Sequence, residues 1–480
     1  MSSALLWIFL PGLLGVGLLF YRPKDRFPLV VAASVCLILT WIAWQFPIDV
    51  VLNIGPFSFE FFPSLSFFGR SFTLSNADRP LLTFIYLFQT LWVSGALIAK
   101  PAKLFIPISL ICVGLFVAAL SVEPFLYAAI LIALAALALV PLLSPAGKPA
   151  GRGVLRFVVF QIFAVPFILF TGWILTGVEA SPGDVNLILR SGLLLLLGFT
   201  FLLGLFPFHS WIPMLAKEAH PYVVGFLLFF LPAISTIFAL GFFDRYAWLR
   251  DSQFIFQILT LIGGLSILLS GIWALAERHL GRILGYAVVM GVGFSLLGIG
   301  LVGAQGVQIF FALLLPQSLG IWVLSVSLGS LLSKDIDLSF EGIAGAFHLS
   351  PISVIGLLLS IFSLAGLPLL ASFPPRVALL NGLAVRNPWA ALLALVGSLG
   401  SALVGVKLLL AVGQKSKKIK SGWVEEAEPI IPKGQGELKD PYSWAFIIIA
   451  GIGFFGIGLF SRLFLAGVPG LASMFPLLFP

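Results

Sequence analysis

Leu205-Phe-Pro-Phe-His-Ser-Trp-Ile-Pro213 decides the fold. Pro207 and Pro213 stand six residues apart at the end of an apolar run that otherwise reads as a membrane-spanning helix. Proline removes a backbone donor and clashes with the preceding turn, so the helix has to be interrupted here. Interrupted backbone in hydrocarbon persists only when it is buried in protein or lines a wet cavity. A second stretch, Ala365-Gly-Leu-Pro-Leu-Leu-Ala-Ser-Phe-Pro-Pro375, repeats the pattern with Pro368, Pro374 and Pro375. Paired interruptions in two halves of a bundle point to a transporter built from inverted repeats. Two ordinary proline kinks are the plainer alternative.

The surrounding composition fits only a membrane protein. Of 480 residues, 60% are hydrophobic and 10% charged, whereas an average soluble domain is roughly 25% charged. Soluble enzymes, nucleic-acid binders and disulfide scaffolds are excluded. The apolar runs are continuous rather than alternating, which favours helices over a barrel. Runs of 17 to 25 residues predict an all-α, polytopic bundle of about fourteen spans. They lie near 4–20, 28–46, 81–99, 104–122, 124–143, 157–177, 186–206, 221–243, 253–276, 283–303, 307–332, 350–372, 387–411 and 443–466. The interruptions fall in the seventh and twelfth spans, and an odd offset of five inverts the second half. The predicted organisation is an N-terminal three-helix region with an external hairpin (1–103), a five-helix repeat (104–243), its inverted copy (253–411), a cytoplasmic linker (412–442) and a last helix (443–480). The first run lacks a basic leader and a cleavage site, so it reads as a retained span. Cys36 and Cys112 lie inside apolar runs as small hydrophobes without metal-ligand spacing.

Charge sets the orientation. With the N-terminus outside, the inner side holds eighteen cations: Arg22, Lys24, Arg26, Lys100, Lys103, Lys148, Arg152, Arg156, Lys217, Arg278, Arg282, Lys334, Lys415, Lys417, Lys418, Lys420, Lys433 and Lys439. The outer side holds seven: Arg70, Arg79, Arg190, Arg245, Arg250, Arg386 and Arg462. This bias predicts both termini outside, in the cell membrane of a prokaryote. The net charge of +8 follows from these inner loops and implies no nucleic-acid partner. From Val50 to Ser75, alternating Phe57, Phe59 and Phe61, then Phe72, predict strands of an external hairpin, while Gln414 to Lys439 reads as a linker of low structure.

Three stretches carry a family resemblance. Gly198-Phe-Thr-Phe-Leu-Leu-Gly-Leu-Phe-Pro-Phe-His-Ser-Trp-Ile-Pro213 resembles the broken seventh helix of the antiporter-like membrane subunits of respiratory complex I (NADH-quinone oxidoreductase), membrane-bound hydrogenases and multi-subunit cation/proton antiporters. Leu275-Ala-Glu-Arg-His-Leu-Gly-Arg-Ile-Leu-Gly-Tyr286, continuing to Gly293-Phe-Ser-Leu-Leu-Gly-Ile299, resembles that family's helix joint. Gly366-Leu-Pro368 followed by Phe373 resembles its broken twelfth helix.

The resemblance implies a proton relay built from a Glu on the fifth span, a Lys on the seventh, a Lys on the eighth and a Lys or Glu on the twelfth. Burial lowers a lysine pKa and raises a glutamate pKa while their pairing opposes both shifts, so small rearrangements can move a proton. Here the matching positions are Ile132 or Ala133, Leu202, Ala233 or Ile234, and Arg376. Glu123 sits at the entry turn of its span and is not equated with the relay Glu. The eleventh-span position holds Pro316-Gln-Ser318, and the joint's acidic residue and Lys are replaced by His279 and Gly281. The resemblance thus implies the scaffold with its relay lost or rewired.

Arg376 is a poor proton carrier and a good fixed charge. It is expected to serve electrostatics or subunit contact, neutralised by a partner subunit or a wet pocket, with a structural ion pair or snorkelling as alternatives. His209 could titrate near neutrality, but a structural hydrogen bond to freed backbone is the favoured reading. Gln317 and Gln161 read as helix–helix hydrogen-bonding residues before path residues, Lys407 as a snorkelling cation, Trp211 as packing, and Lys217 and Glu218 as solvated loop charges. No nucleotide loop, cysteine cluster or haem-type His pair occurs, so no cofactor is expected. The leading expectation is a non-catalytic membrane-arm subunit of a complex-I-like or hydrogenase-like assembly, its partners being other membrane-arm subunits and lipid. The alternatives are a working proton or cation translocator using waters, His209, Gln317 and Arg376, and an unrelated small-molecule carrier with a polar midplane cavity.

Overall fold

The computed structural model describes residues 3–478 apart from 22–25, 49–50, 55–56, 61, 68, 145–146, 148, 181–183, 302, 415–436 and 438–439. The principal helices are α1 (Leu5–Phe20), α2 (Phe27–Gln45), α3 (Arg79–Ala99), α4 (Phe105–Ser121), α5 (Ala128–Ala138), α6 (Arg152–Ala180), α7 (Val185–Leu203), α8 (Trp211–Glu218) and α9 (Pro221–Arg245). The second half contains α10 (Gln253–Ala276), α11 (Leu280–Gly300), α12 (Gly303–Leu332), α13 (Pro351–Ala365), α14 (Phe373–Arg386), α15 (Pro388–Gly413) and α16 (Pro441–Leu459). Among the described residues, eleven helical stretches are long and apolar enough to cross a membrane, and α1, α4 and α13 are shorter apolar helices. In hydrocarbon every backbone group must be paired internally, and the helix is the form in which these runs achieve it. Boundaries follow local chemistry: proline opens α9, α13, α15 and α16, and Asp184, Asn387 and Asp440 cap α7, α15 and α16 with side-chain oxygens.

Helices α9, α11 and α12 are almost wholly buried and form the centre, whereas α2, α6 and α16 keep broad apolar faces outward. Close approach depends on glycine where α10 crosses α15: a Cβ on Gly400 would lie 2.7 Å from the Gly271 carbonyl oxygen.

Both interruptions are present as helix ends. Helix α7 closes on Gly204 at φ 62, passes through a short turn at Phe208–Ser210 and resumes as α8. Helix α13 closes on Gly366 at φ 83 and resumes as α14. Pro207 and Pro368 lie in the gaps, while Pro213, Pro374 and Pro375 sit in the first turns of the resumed helices, where no intrahelical partner awaits their missing N–H. The left-handed glycines are the stop signals that the proline reading overlooked.

The expected single hairpin is instead two. β1 (Val51–Ile54) pairs antiparallel with β2 (Phe57–Glu60), and β3 (Ser64–Phe67) pairs with β4 (Arg70–Thr73), whose other edge takes β5 (Val122–Glu123) after α4. Phe61 lies outside the described residues. So does most of the expected linker, including Lys415, Lys417, Lys418, Lys420, Lys433 and Lys439. Glu437, inside that stretch, is buried. Its carboxylate accepts from Ser353 N at 3.3 Å and Ser353 Oγ at 2.5 Å at the start of α13, and pairs with Lys334 at 3.1 Å. Lys334→Ala would leave this carboxylate buried without its cation, and we expect a loss of about 3 kcal/mol of stability. Thermal unfolding in detergent checks it. Glu437→Gln keeps acceptors for Ser353 and should cost less.

Candidate functional site: the polar positions along the membrane axis

The positions that would carry a relay hold buried aliphatic side chains, and Ala233, the other eighth-span candidate, borders a small cavity. Ile132 on α5, Leu202 on α7 and Ile234 on α9 are at most 1% exposed and belong to one continuous apolar core. Gln161 on α6 donates to the Leu202 carbonyl at 3.4 Å, bracing the last turn of α7. Beside Pro232 lies a cavity of about 20 Å3 bordered by Thr236, Ser295, Gln317 and Ser318. That is room for about one water, with hydroxyl and amide partners to hold it. Gln317 fits there because Gly291 opposite has no Cβ, which would overlap the amide.

His209 occupies the gap between α7 and α8, buried, with its ring stacked on Trp273 at 5.0 Å between centroids. Its Nδ1 has no hydrogen-bond partner among the described residues. The expected hydrogen bond to freed backbone is replaced by aromatic stacking, because Phe206 and Trp273 fill the space beside the ring. Trp211 packs on Phe157 at 5.2 Å. Lys217 is exposed, but Glu218 does more than face solvent: its carboxylate accepts from Gly153 N at 2.7 Å in the first turn of α6.

Three cations of the second half, Arg376, Lys407 and Arg386, share one arrangement. Arg376, 7% exposed, donates from Nη2 to the Leu364 carbonyl in the last turn of α13 and from Nη1 to Ser398 Oγ at 3.5 Å, and lies 4.0 Å over the Phe294 ring. Lys407 donates to the carbonyls of Leu275 (3.2 Å) and Glu277 (2.9 Å) at the end of α10, over the Phe340 ring. Arg386 donates to the Leu301 carbonyl at the end of α11. Each cation therefore meets orphan carbonyls at the negative end of a neighbouring helix. Arg376 has no carboxylate partner among the described residues, and its hydrogen bonds run to the Leu364 carbonyl and Ser398. Lys407 thereby bridges α15 and α10. These partners lie up to 132 residues away in sequence, so no local signal marks them.

Two histidines cap helices outside the spans. His220 Nδ1 accepts from Tyr222 N at 3.3 Å at the start of α9, and His279 Nδ1 accepts from Gly281 N at 3.1 Å at the start of α11. Only the neutral imidazole can accept there. Burial lowers the His220 pKa from 6.5 to about 4, and it lowers that of His279 as well, aided by Lys217 and Arg282 and opposed by Asp337 and Glu277. A histidine with a depressed folded pKa binds its proton more readily when unfolded, so stability falls as pH drops below 6.5 and levels off below about 4. We expect the His220 contribution to be on the order of 3 kcal/mol. A melting-temperature series from pH 7 to 4 checks this, and His220→Asn, which still caps, should flatten the curve.

Among the described residues no cluster of His, Cys, Asp or Glu could hold a metal ion. Residues 172–403 match the family model described as NADH:quinone oxidoreductase/Mrp antiporter, TM. An NADH-quinone oxidoreductase subunit N from a Wolbachia species is 26% identical over 193 residues, which cover 40% of each chain, so the match spans less than half of that relative. NADH-quinone oxidoreductase subunit 14 of Thermus thermophilus is 26% identical over 402 residues, covering 82% of this chain and 86% of the relative. A chain of the Mrp complex from Dietzia sp. DQ12-45-1b superposes with a TM-score of 0.80 at 17% identity, over 98% of this chain and 97% of its own.

Proposed function

We propose that this chain belongs to the antiporter-like membrane-subunit family and is a non-catalytic membrane-arm subunit of a respiratory or hydrogenase-like assembly whose transporter scaffold has lost its lysine–glutamate relay. The observation that carries the reading is the apolar burial of Ile132, Leu202 and Ile234. Uncharged aliphatic side chains cannot hold a proton, and Arg376, the one charged residue at a matching position, caps a helix end. We read 104–243 and 253–411 as inverted repeats. The support is that α7 and α13 each end on a left-handed glycine, cross a proline-containing gap and resume with proline in the first turn. The excess of cations in alternate loops supports both termini outside. Redox chemistry in such an assembly belongs to other subunits.

Affinity purification of the tagged chain from its native membrane in mild detergent tests the assembly. Other polytopic subunits should co-purify in fixed ratio, and a chain recovered alone at full yield would refute it. A second reading, a working translocator, is favoured by the small cavity at Gln317 and the unpartnered Nδ1 of His209.

A further inference from the structure

The second interruption is gripped from two sides. Between α13 and α14 the backbone has no helical ladder to hold it, so its conformation depends on what packs against it. Leu369, in that gap, sits at φ 72, a left-handed conformation that a leucine keeps only where its surroundings impose it. On the core side Arg376 lies against Gly366, where a Cβ would come 2.8 Å from the arginine Cδ and Nη1. On the bilayer side stands α16. A Cβ on Gly458 would overlap the Leu369 carbonyl oxygen and lie 2.6 Å from its carbon and 2.9 Å from the Leu370 carbonyl carbon, so the two backbones touch.

Helix α16 is otherwise peripheral. Most of it faces outward, and it lies beyond both five-helix segments. Yet one stripe, Phe446, Ala450, Phe454 and Ile457, is buried at helical spacing. Phe446 packs edge-on against Trp322 of α12 at 5.5 Å, beside Gly356 of α13, and Gly453 backs onto Leu319 of α12. Before the helix begins, Glu437 is fixed by Lys334 and by Ser353 at the start of α13. The helix thus follows the α12–α13 seam from a charged anchor at one end to the helix break at the other.

We propose that α16 is a lock: it holds the α13–α14 gap in the conformation in which Arg376 reaches the Leu364 carbonyl, and lifting it frees Leu369 to leave the left-handed region. The anchor at Glu437 and the stripe from Phe446 to Ile457 set the helix in register, so that a glycine rather than a side chain meets Leu369. The lock concerns backbone, not charge, so it stands or falls separately from the loss of the relay.

Hydrogen–deuterium exchange of the full chain in detergent, read by mass spectrometry over residues 366–372, tests it. Gly458→Leu should speed exchange there about tenfold, the order expected when one imposed backbone conformation is released. Gly458→Ala, whose Cβ already overlaps the Leu369 carbonyl, should give a smaller increase in the same residues. Phe446→Ala should also speed exchange in the gap, although it lies about 18 Å along the helix from Gly458. Gly451→Leu, on the same helix where a Cβ meets nothing within 4 Å, should leave the gap at the wild-type rate. Wild-type exchange over 366–372 in Gly458→Ala and Phe446→Ala, with or without faster exchange in α16 itself, would overturn the proposal. So would an equal acceleration of the gap by Gly451→Leu.

Discussion

Gly397→Leu is expected to abolish recovery of folded protein. At the crossing of α10 and α15 the two backbones touch: a Cβ on Gly397 would lie 2.6 Å from the Ile267 carbonyl carbon, and one on Gly271 would lie 2.8 Å from Gly397 Cα. No flexible side chain can move aside, so the helices themselves must separate. Overpacking costs about 1–3 kcal/mol where neighbours can adjust and more where they cannot. That is a large share of the roughly 5–15 kcal/mol that holds a domain together. Gly12→Leu, where a Cβ meets nothing within 4 Å, serves as the matched control. Size-exclusion yield in detergent reads both. A Gly397→Leu chain recovered and melting like the control would mean that the crossing is looser than described.

Arg376→Leu should destabilise the isolated chain by about 2–3 kcal/mol, because it strands the Leu364 carbonyl at a helix end that water does not reach. Losing a buried charge offsets part of this. Arg376→Lys keeps one donor and the charge but not the two-point grip on Leu364 and Ser398, so it should fall between. Thermal unfolding of the three chains gives the order. An Arg376→Leu chain as stable as wild type that no longer assembles would contradict this and show that a partner subunit neutralises the charge.

The helices were legible because membrane solvation leaves few choices: long apolar runs must be helical, and proline clusters must interrupt them. Pro207 and Pro368 pointed to the right places, but the chain stops at Gly204 and Gly366, whose role depends on φ rather than on composition. The strands were harder. One alternating stretch suggested a single hairpin, and nothing in Val122–Glu123 announces that it will pair with Arg70–Thr73. At the axis, the sequence showed the missing lysines directly as Leu202 and Ile234. It could not show where the remaining cations go, since Lys407, Arg386 and Arg376 find their carbonyls across helices. Glu437 was hidden for the same reason, its polar surroundings in sequence resembling a solvated linker while its carboxylate reaches Ser353 and Lys334.

Proton uptake by the purified chain in proteoliposomes, followed with an internal pH dye under an imposed potential, bears most directly on the loss of the relay. With Ile132, Leu202 and Ile234 buried and aliphatic and Arg376 committed to the end of α13, the account predicts uptake no faster than in empty liposomes. Robust uptake that His209→Ala abolishes would contradict it and assign proton transfer to the residual polar groups.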